Sequence, residues 1–275
     1  MNYWKPCLLR FSSTKVERQV NKIRLIIKMD KLLSMKNRVA IVTGASGGIG
    51  NAVTSVLIRQ GAFCLLSDNV PPTLEQKKLI ASESAQFLQG DLSEEKTINE
   101  IFDSVKTLLN RPADLLINCA GLYERWDLLC LPNSVLETTM RLNVNVPFLL
   151  SQRAANEMIS ANIPGRIINI SSDAWIKGPR RGAHYAASKA ALVGMTRSMA
   201  RALGSYGINV NCVSPGVTRT RQPGLNASEF NDRGKTIPLG RVAEPIDVAH
   251  AVLFLCSDIS NYITGHELII NGGDY

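Results

Sequence analysis

Val39-Ala40-Ile41-Val42-Thr43-Gly44-Ala45-Ser46-Gly47-Gly48-Ile49-Gly50 is the stretch from which the rest of the chain can be read. The β-branched run Val39 to Thr43 reads as a buried strand, and beyond Gly50 a helical pattern continues over Ala52 to Gln60. The glycines between them permit a tight turn. A strand, a glycine turn and a helix in that order let backbone N–H groups approach a pyrophosphate at the positive end of the helix. The spacing Gly44-x-x-x-Gly48-x-Gly50 departs from the G-x-G-x-x-G fingerprint, and alone it reads equally well as a close helix–strand contact.

Working outward, the second strand, Phe63 to Ser67, is followed at once by Asp68, 18 residues after Gly50. A carboxylate there can accept hydrogen bonds from the ribose hydroxyls of an adenosine and repels a 2′-phosphate, which selects NAD over NADP. Neither Gly47 nor Asn69 supplies a cation to neutralise such a phosphate. The alternative for Asp68 is an N-cap or turn residue.

Further strands are expected at Leu115 to Asn118, Arg166 to Ile170, Asn209 to Val213 and Leu268 to Ile270. Helical patterns at Ile98 to Leu109 and Ala186 to Leu203 lie among them. Alternation of this kind implies right-handed crossovers, and so an α/β fold with a single doubly wound parallel β-sheet flanked by helices on both faces, the Rossmann architecture. The chain's 275 residues suit one such domain, expected over 35 to 275.

With 45% hydrophobic and 20% charged residues, and no run near the ~18 apolar residues of a membrane span, the sequence excludes disorder and a transmembrane role. The net charge of +8 is concentrated in residues 1–34, where eight basic side chains oppose Glu17 and Asp30. The rest is close to neutral, so no nucleic-acid partner is expected. Six scattered cysteines without a CxxC pair point to a reduced, intracellular protein without a structural metal. The basic extension, with Val16, Val20, Ile23 and Ile27 at helical spacing, resembles a mitochondrial presequence. A disordered tail, an extra packed helix and an unused upstream start are the competing readings, since Met35 opens an ordinary beginning. A cytoplasmic location is therefore expected, with the mitochondrial matrix as the alternative.

Tyr185 and Lys189 lie at i and i+4 on one expected helix, so they share a face one turn apart. A neighbouring ammonium favours a phenolate, which would bring the Tyr185 pKa toward the working range and make it a general acid/base. Ser172, 13 residues before Tyr185 and just past the fourth of these strands, is placed to hold a substrate oxygen. Seen alone, Tyr-x-x-x-Lys is more often an exposed helical pair.

Together with the glycine turn, Asn118-Cys119-Ala120-Gly121, Asn143, Pro215-Gly216 and Tyr262-Ile263-Thr264-Gly265, these residues make residues 36–275 resemble the short-chain dehydrogenase/reductase family. The resemblance implies hydride transfer between a nicotinamide and a secondary alcohol or ketone, with Asn143, Ser172, Tyr185 and Lys189 as the catalytic set. It implies that Lys189 also binds the nicotinamide ribose and that Asn143 anchors a proton-relaying water. It further implies cofactor contacts from Gly44, Ser46, Gly48, Ile49, Gly50, Asp68, Asp91, Leu92, Asn118, Gly121, Tyr185, Lys189, Val217 and Thr220. An NADPH-dependent 3-oxoacyl-thioester reductase is the rival, and a dinucleotide-sensing protein without turnover is the alternative of another class. By the same resemblance a homotetramer or homodimer is expected, with Gly194, Met195 and Ala200 allowing close helix contact. Asn143 is preferred to Asn145, and Ser172 to Ser171, by family spacing.

Three positions depart from the family pattern: Cys119 for a second Asn, Asn271 for an Asp, and Gly47 where NADP users often carry Arg. The first two put local packing in doubt. Substrate-facing parts are expected at 174–184 and 221–237, with Trp175 as a candidate pocket wall and His184 as a surface or wall residue. The cations Lys177, Arg180, Arg181, Arg221, Arg233 and Lys235 are read as solvated rather than as an anion site.

Overall fold

The computed structural model describes residues 32–275, so the basic extension lies outside the described residues apart from its last three. Seven strands form one parallel sheet among these residues: β1 (Val39–Thr43), β2 (Phe63–Asp68), β3 (Ala85–Gln89), β4 (Leu115–Asn118), β5 (Gly165–Ile170), β6 (Ile208–Pro215) and β7 (Glu267–Ile270). Their order is β3-β2-β1-β4-β5-β6-β7. The winding reverses between β1 and β4, and in sheets of this kind ligands bind beyond the carboxyl ends of the strands at such a switch point.

Helices cover both faces, as the strand–helix alternation requires. On one side, α1 (Gly48–Arg59) and α9 (Pro245–Cys256) bury Val53, Val56, Leu57, Val248, Val252 and Leu253 against Val42, Leu66 and Ile117. On the other, α3 (Glu95–Leu109), α5 (Val146–Ser160) and α7 (Ala183–Leu203) bury Ile101, Phe102, Leu150, Met158 and Ala200 against Ile41, Leu65 and Leu116. Each fully buried leucine or isoleucine contributes about 1.5–3 kcal/mol, so these two layers dominate the stability of the sheet. The chain also forms α2 (Leu74–Ala81), α4 (Asn133–Met140), the short α6 (Ala174–Lys177) and α8 (Ala227–Lys235). Met35 is buried in the first of these cores, so the packed structure begins at or before it.

The expected strands and the doubly wound fold are present, each strand within two residues of its expected bounds. The sequence reading overlooked β3, an edge strand that pairs only with β2.

Candidate active site

The glycine turn is held from two sides. Gly44 has φ +63°, and a methyl group there would fall 2.7 Å from the backbone of Ala120, so β1 and the β4 exit meet only because this residue is glycine. From below, the buried Gln76 of α2 donates to the Ala45 carbonyl at 2.6 Å while completing a capping box with Thr73. Helix α1 itself starts at Gly47 with no side-chain cap and no acid in its first turn, leaving its first N–H groups to a ligand. A methyl on Gly48 would lie 2.6 Å from Thr220 Cγ2, so Thr220 closes over this turn. Ile49 tucks beneath it against the core.

Asp68 ends β2 beside this turn. Its Oδ2 accepts from Ser46 N at 2.9 Å and its Oδ1 from Val70 N at 3.2 Å, so its charge is fixed at the mouth of the turn. Asp91 is exposed and spends Oδ1 on Ser93 N at 2.8 Å, while the Leu92 side chain enters the core. Val217 packs with Phe230, Ile237 and Val242 beneath α8. An uncapped helix end, a cradle of glycines that a Cβ would fill, and a fixed carboxylate after the second strand together fit a dinucleotide.

At the end of β4, Asn118 Nδ2 donates to Asn169 Oδ1 at 2.8 Å and to Ser151 Oγ at 3.1 Å, and Asn169 passes the chain on to Thr196 of α7 at 2.9 Å. Asn118 Oδ1 is buried without a partner. This network joins β4, β5, α5 and α7, and the sequence reading had no sign of it. Thr43 Oγ1 accepts from Cys119 N and Ala120 N at 3.2 and 3.3 Å, so the Cys119 backbone is anchored although its side chain departs from the family pattern. Burial pushes the Cys119 thiol up to about 12, which leaves it protonated at neutral pH.

Asn143 sits in a π turn, Arg141–Asn145, between α4 and α5. It is wholly buried: Nδ2 donates to Leu122 O at 2.9 Å and Ser188 Oγ at 3.0 Å, and Oδ1 accepts from Leu122 N at 2.8 Å. Asn145 is exposed. Of the two serines, Ser171 spends its hydroxyl on the Lys189 carbonyl at 2.8 Å, whereas Ser172 Oγ accepts from Ala174 N at 3.2 Å and lies close enough to Tyr185 to lower its pKa.

Tyr185 and Lys189 share one face of α7, with Lys189 Nζ 5.6 Å from the phenol ring centre. That ammonium donates to the Ile170 carbonyl at 2.9 Å, and a methyl on Gly121 would meet Lys189 Nζ at 3.2 Å and Asn143 Oδ1 at 3.4 Å. The structure thus brings Asn143, Ser172, Tyr185, Lys189, Asn118 and Gly121 together at the switch point. One electrostatic expectation is corrected. Burial, not Lys189, governs Tyr185 and pushes its pKa up, with the Ser172 hydroxyl opposing it. Burial also lowers Lys189 to about 8. Desolvation dominates because the phenol is buried, while Lys189 spends a donor on the Ile170 carbonyl at 2.9 Å.

Other expectations also change. Trp175 is not a free wall: its indole N–H donates to Glu267 at 2.6 Å. His184 is buried, with neither ring nitrogen partnered. The cations expected to be solvated are in part ion-paired. Lys177 and Arg233 both engage Asp274, Lys177 also reaches Asp173 at 2.7 Å, and Arg181 pairs with Asp127 at 2.9 Å. The reading also missed Tyr123, whose ring stacks on Tyr185 at 4.4 Å between centroids and 42° between planes. Its position two residues after Gly121, past the β4 strand end, was the available signal.

Residues 44–274 match a family model described as enoyl-(acyl carrier protein) reductase. The chain belongs to the short-chain dehydrogenase/reductase family. A (3R)-3-hydroxyacyl-CoA dehydrogenase of Canis lupus familiaris is 34% identical over 88% of this chain and 98% of that protein. An NAD-dependent glycerol dehydrogenase of Listeria innocua is 35% identical over 89% of this chain and 96% of that protein. The crystal structure of a short-chain type dehydrogenase/reductase from Mycobacterium marinum superposes with a TM-score of 0.82 at 29% identity, covering 89% of this chain and 98% of that one. As a short-chain dehydrogenase/reductase the protein is an oxidoreductase of CH–OH groups that uses a nicotinamide dinucleotide. Among the described residues no helix is long and apolar enough to cross a membrane, and no cluster of His, Cys, Asp and Glu could hold a metal.

Proposed function

We propose that the protein interconverts a secondary alcohol and a ketone with NAD(H), using Tyr185 as general acid/base. The observation that carries this reading is the convergence of Ser172, Tyr185 and Lys189 beside Gly121 at the switch point. In the oxidative direction R₂CHOH and NAD⁺ give R₂C=O, NADH and a proton. When bound, the nicotinamide accepts or supplies the hydride. Ser172 donates to the substrate oxygen, and Tyr185 takes or returns the proton on that same oxygen. Lys189 holds the ribose and, while charged, favours the phenolate. Asn143 positions the Leu122 segment and faces the same space as Lys189, where the proton leaves toward solvent.

Gly44, Ser46, Gly48, Ile49 and Gly50 are assigned to the pyrophosphate turn, Asp68 with Asp91 and Leu92 to the adenosine, Asn118 and Gly121 to the ribose, and Val217 and Thr220 to the carboxamide. The Asp68 carboxylate favours NAD over NADP, because a 2′-phosphate would meet a fixed negative charge. A second reading, reduction of 3-oxoacyl thioesters, is favoured by the hydroxyacyl-CoA dehydrogenase relative and opposed by Asp68 if the reductant is NADPH. Steady-state kcat/KM with NAD(H) and NADP(H) over alcohols, hydroxy acids and 3-hydroxyacyl thioesters tests both, and absence of any turnover with tight NAD binding would leave only a sensing role. We further assign residues 35–275 to one domain that assembles as a homotetramer or homodimer, which sedimentation tests. We place the protein in the cytoplasm, and import of a reporter carrying residues 1–34 into mitochondria would overturn that location.

A further inference from the structure

On the rim above the strand ends, most cations are matched. Lys177 and Arg233 share Asp274, Arg181 pairs with Asp127, Lys235 with Asp232, and Arg219 with Glu244. Arg125 has no carboxylate partner among the described residues, yet it is held in place. Its guanidinium carbon stands 6.0 Å from the centre of the Tyr123 ring, and one nitrogen donates to the Pro223 carbonyl at 2.6 Å. Of the acids nearest in sequence, Asp127 is paired with Arg181, and Glu124 accepts from the Trp126 indole at 3.0 Å rather than from Arg125. A guanidinium carries five N–H donors, so most of Arg125's are left without a protein acceptor. An exposed fork anchored through one nitrogen, with its other donors free and no carboxylate bonded to it among the described residues, is suited to a bidentate oxyanion.

The Tyr123 ring that carries Arg125 also stacks on Tyr185. Arg125 is therefore no farther from the Tyr185 ring than the 4.4 and 6.0 Å steps laid end to end. We propose that the substrate bears an oxyanion a few bonds from its reacting carbon, and that Arg125 receives it. The substrate class is then a short hydroxy or oxo acid, or its phosphate counterpart. The phosphates of a coenzyme A thioester stand a whole pantetheine arm from the carbonyl, beyond this reach. The inference rests on the assignment of Tyr185 as the reacting group.

Binding to the enzyme–NADH complex, followed by nicotinamide fluorescence, tests it without turnover. The probes are 4-oxopentanoate, its neutral methyl ester, dihydroxyacetone phosphate and acetoacetyl-CoA. One or both of the short anions should bind about tenfold or more tighter than the methyl ester, the scale of a charge-assisted bidentate contact. Arg125→Gln should erase that preference, Arg125→Lys should keep part of it, and the Kd values for the ester and NADH should not move. The short carboxylate and the short phosphate distinguish the two sources of the oxyanion. Equal or undetectable binding of both short anions and the ester by wild type, or a preference that survives Arg125→Gln, would overturn the proposal. So would an Arg125 dependence confined to acetoacetyl-CoA. Tyr185→Phe should abolish turnover and leave the Arg125-dependent preference for the short anions over the ester in place; if it stays active, the Tyr185 assignment fails separately.

Discussion

Lys189 stands one helical turn from Tyr185, its ammonium 5.6 Å from the phenol ring centre and bonded to the Ile170 carbonyl. Proton transfer by a positioned side chain contributes about 10²–10⁴-fold. Tyr185→Phe should therefore lower kcat by at least about 10²-fold, with the Kd for NADH unchanged, because the ring and its contact with Tyr123 survive. Stopped-flow turnover together with a fluorescence titration checks both parts, and wild-type kcat in the variant would refute the acid/base role.

Burial brings Lys189 to about 8, well below the pH at which an exposed lysine loses its proton. The sign follows from the charged form. Below that pH the ammonium favours the phenolate and can resupply its proton, whereas above it both effects are lost. kcat/KM for ketone reduction should fall as pH rises through about 8. Lys189→Met should show low activity without that limb. A profile flat to pH 10 or above in the wild type would remove Lys189 from the proton path.

Asp68 holds its charge through Ser46 N and Val70 N, so Asp68→Asn keeps an acceptor while removing the repulsion. The ratio of kcat/KM for NAD over NADP should shrink by about tenfold or more, equivalent to about 1.4 kcal/mol. An unchanged ratio would mean that cofactor choice is made elsewhere.

Gly44 and Gly178 share φ +63°, but only at Gly44 would a methyl strike backbone, 2.7 Å from Ala120. Gly178→Ala carries the left-handed penalty alone, about 1 kcal/mol. Gly44→Ala adds a clash that neither β1 nor β4 can relieve, and should cost at least about 2 kcal/mol more. Urea unfolding of the two variants isolates the close approach as the reason for glycine at Gly44, and equal costs would contradict it.

The doubly wound fold was legible because β1, β2, β4, β5 and β6 are largely buried, so their β-branched and aliphatic runs stand out. β3 was not, since Ala-Gln-Phe-Leu-Gln lies at the sheet edge with only Ala85 fully buried. Asn143, Ser172, Tyr185 and Lys189 were singled out by resemblance to a family pattern, because only Tyr185 and Lys189 are local neighbours on one helix and that pair alone reads as an exposed one. The supports around these four depend on contacts between distant residues, such as Asn118 with Asn169 or Gln76 with Ala45, and short-range patterning carries no trace of these. The Tyr185 pKa was misjudged for a related reason: the burial that raises it comes from packing against residues distant in sequence, Tyr123 among them.

Asp274, close to the C-terminus, gathers Lys177 from α6 and Arg233 from α8. Helix α8 packs through Phe230 against Val242 and Ile237, and the Arg219 guanidinium lies 4.9 Å from the Phe230 ring centre. Removing the Asp274 charge leaves Lys177 paired with Asp173 but deprives Arg233 of its carboxylate, so the effect should centre on α8 rather than on α6. Asp274→Asn should hasten limited proteolysis within 221–237 and raise the KM for the alcohol. The Kd for NADH should stay near wild type, because the glycine turn and Asp68 lie on the far side of the switch point. Faster cleavage elsewhere, or an equal loss of NADH affinity, would show instead that Asp274 supports the whole sheet edge and not the cover of the substrate side.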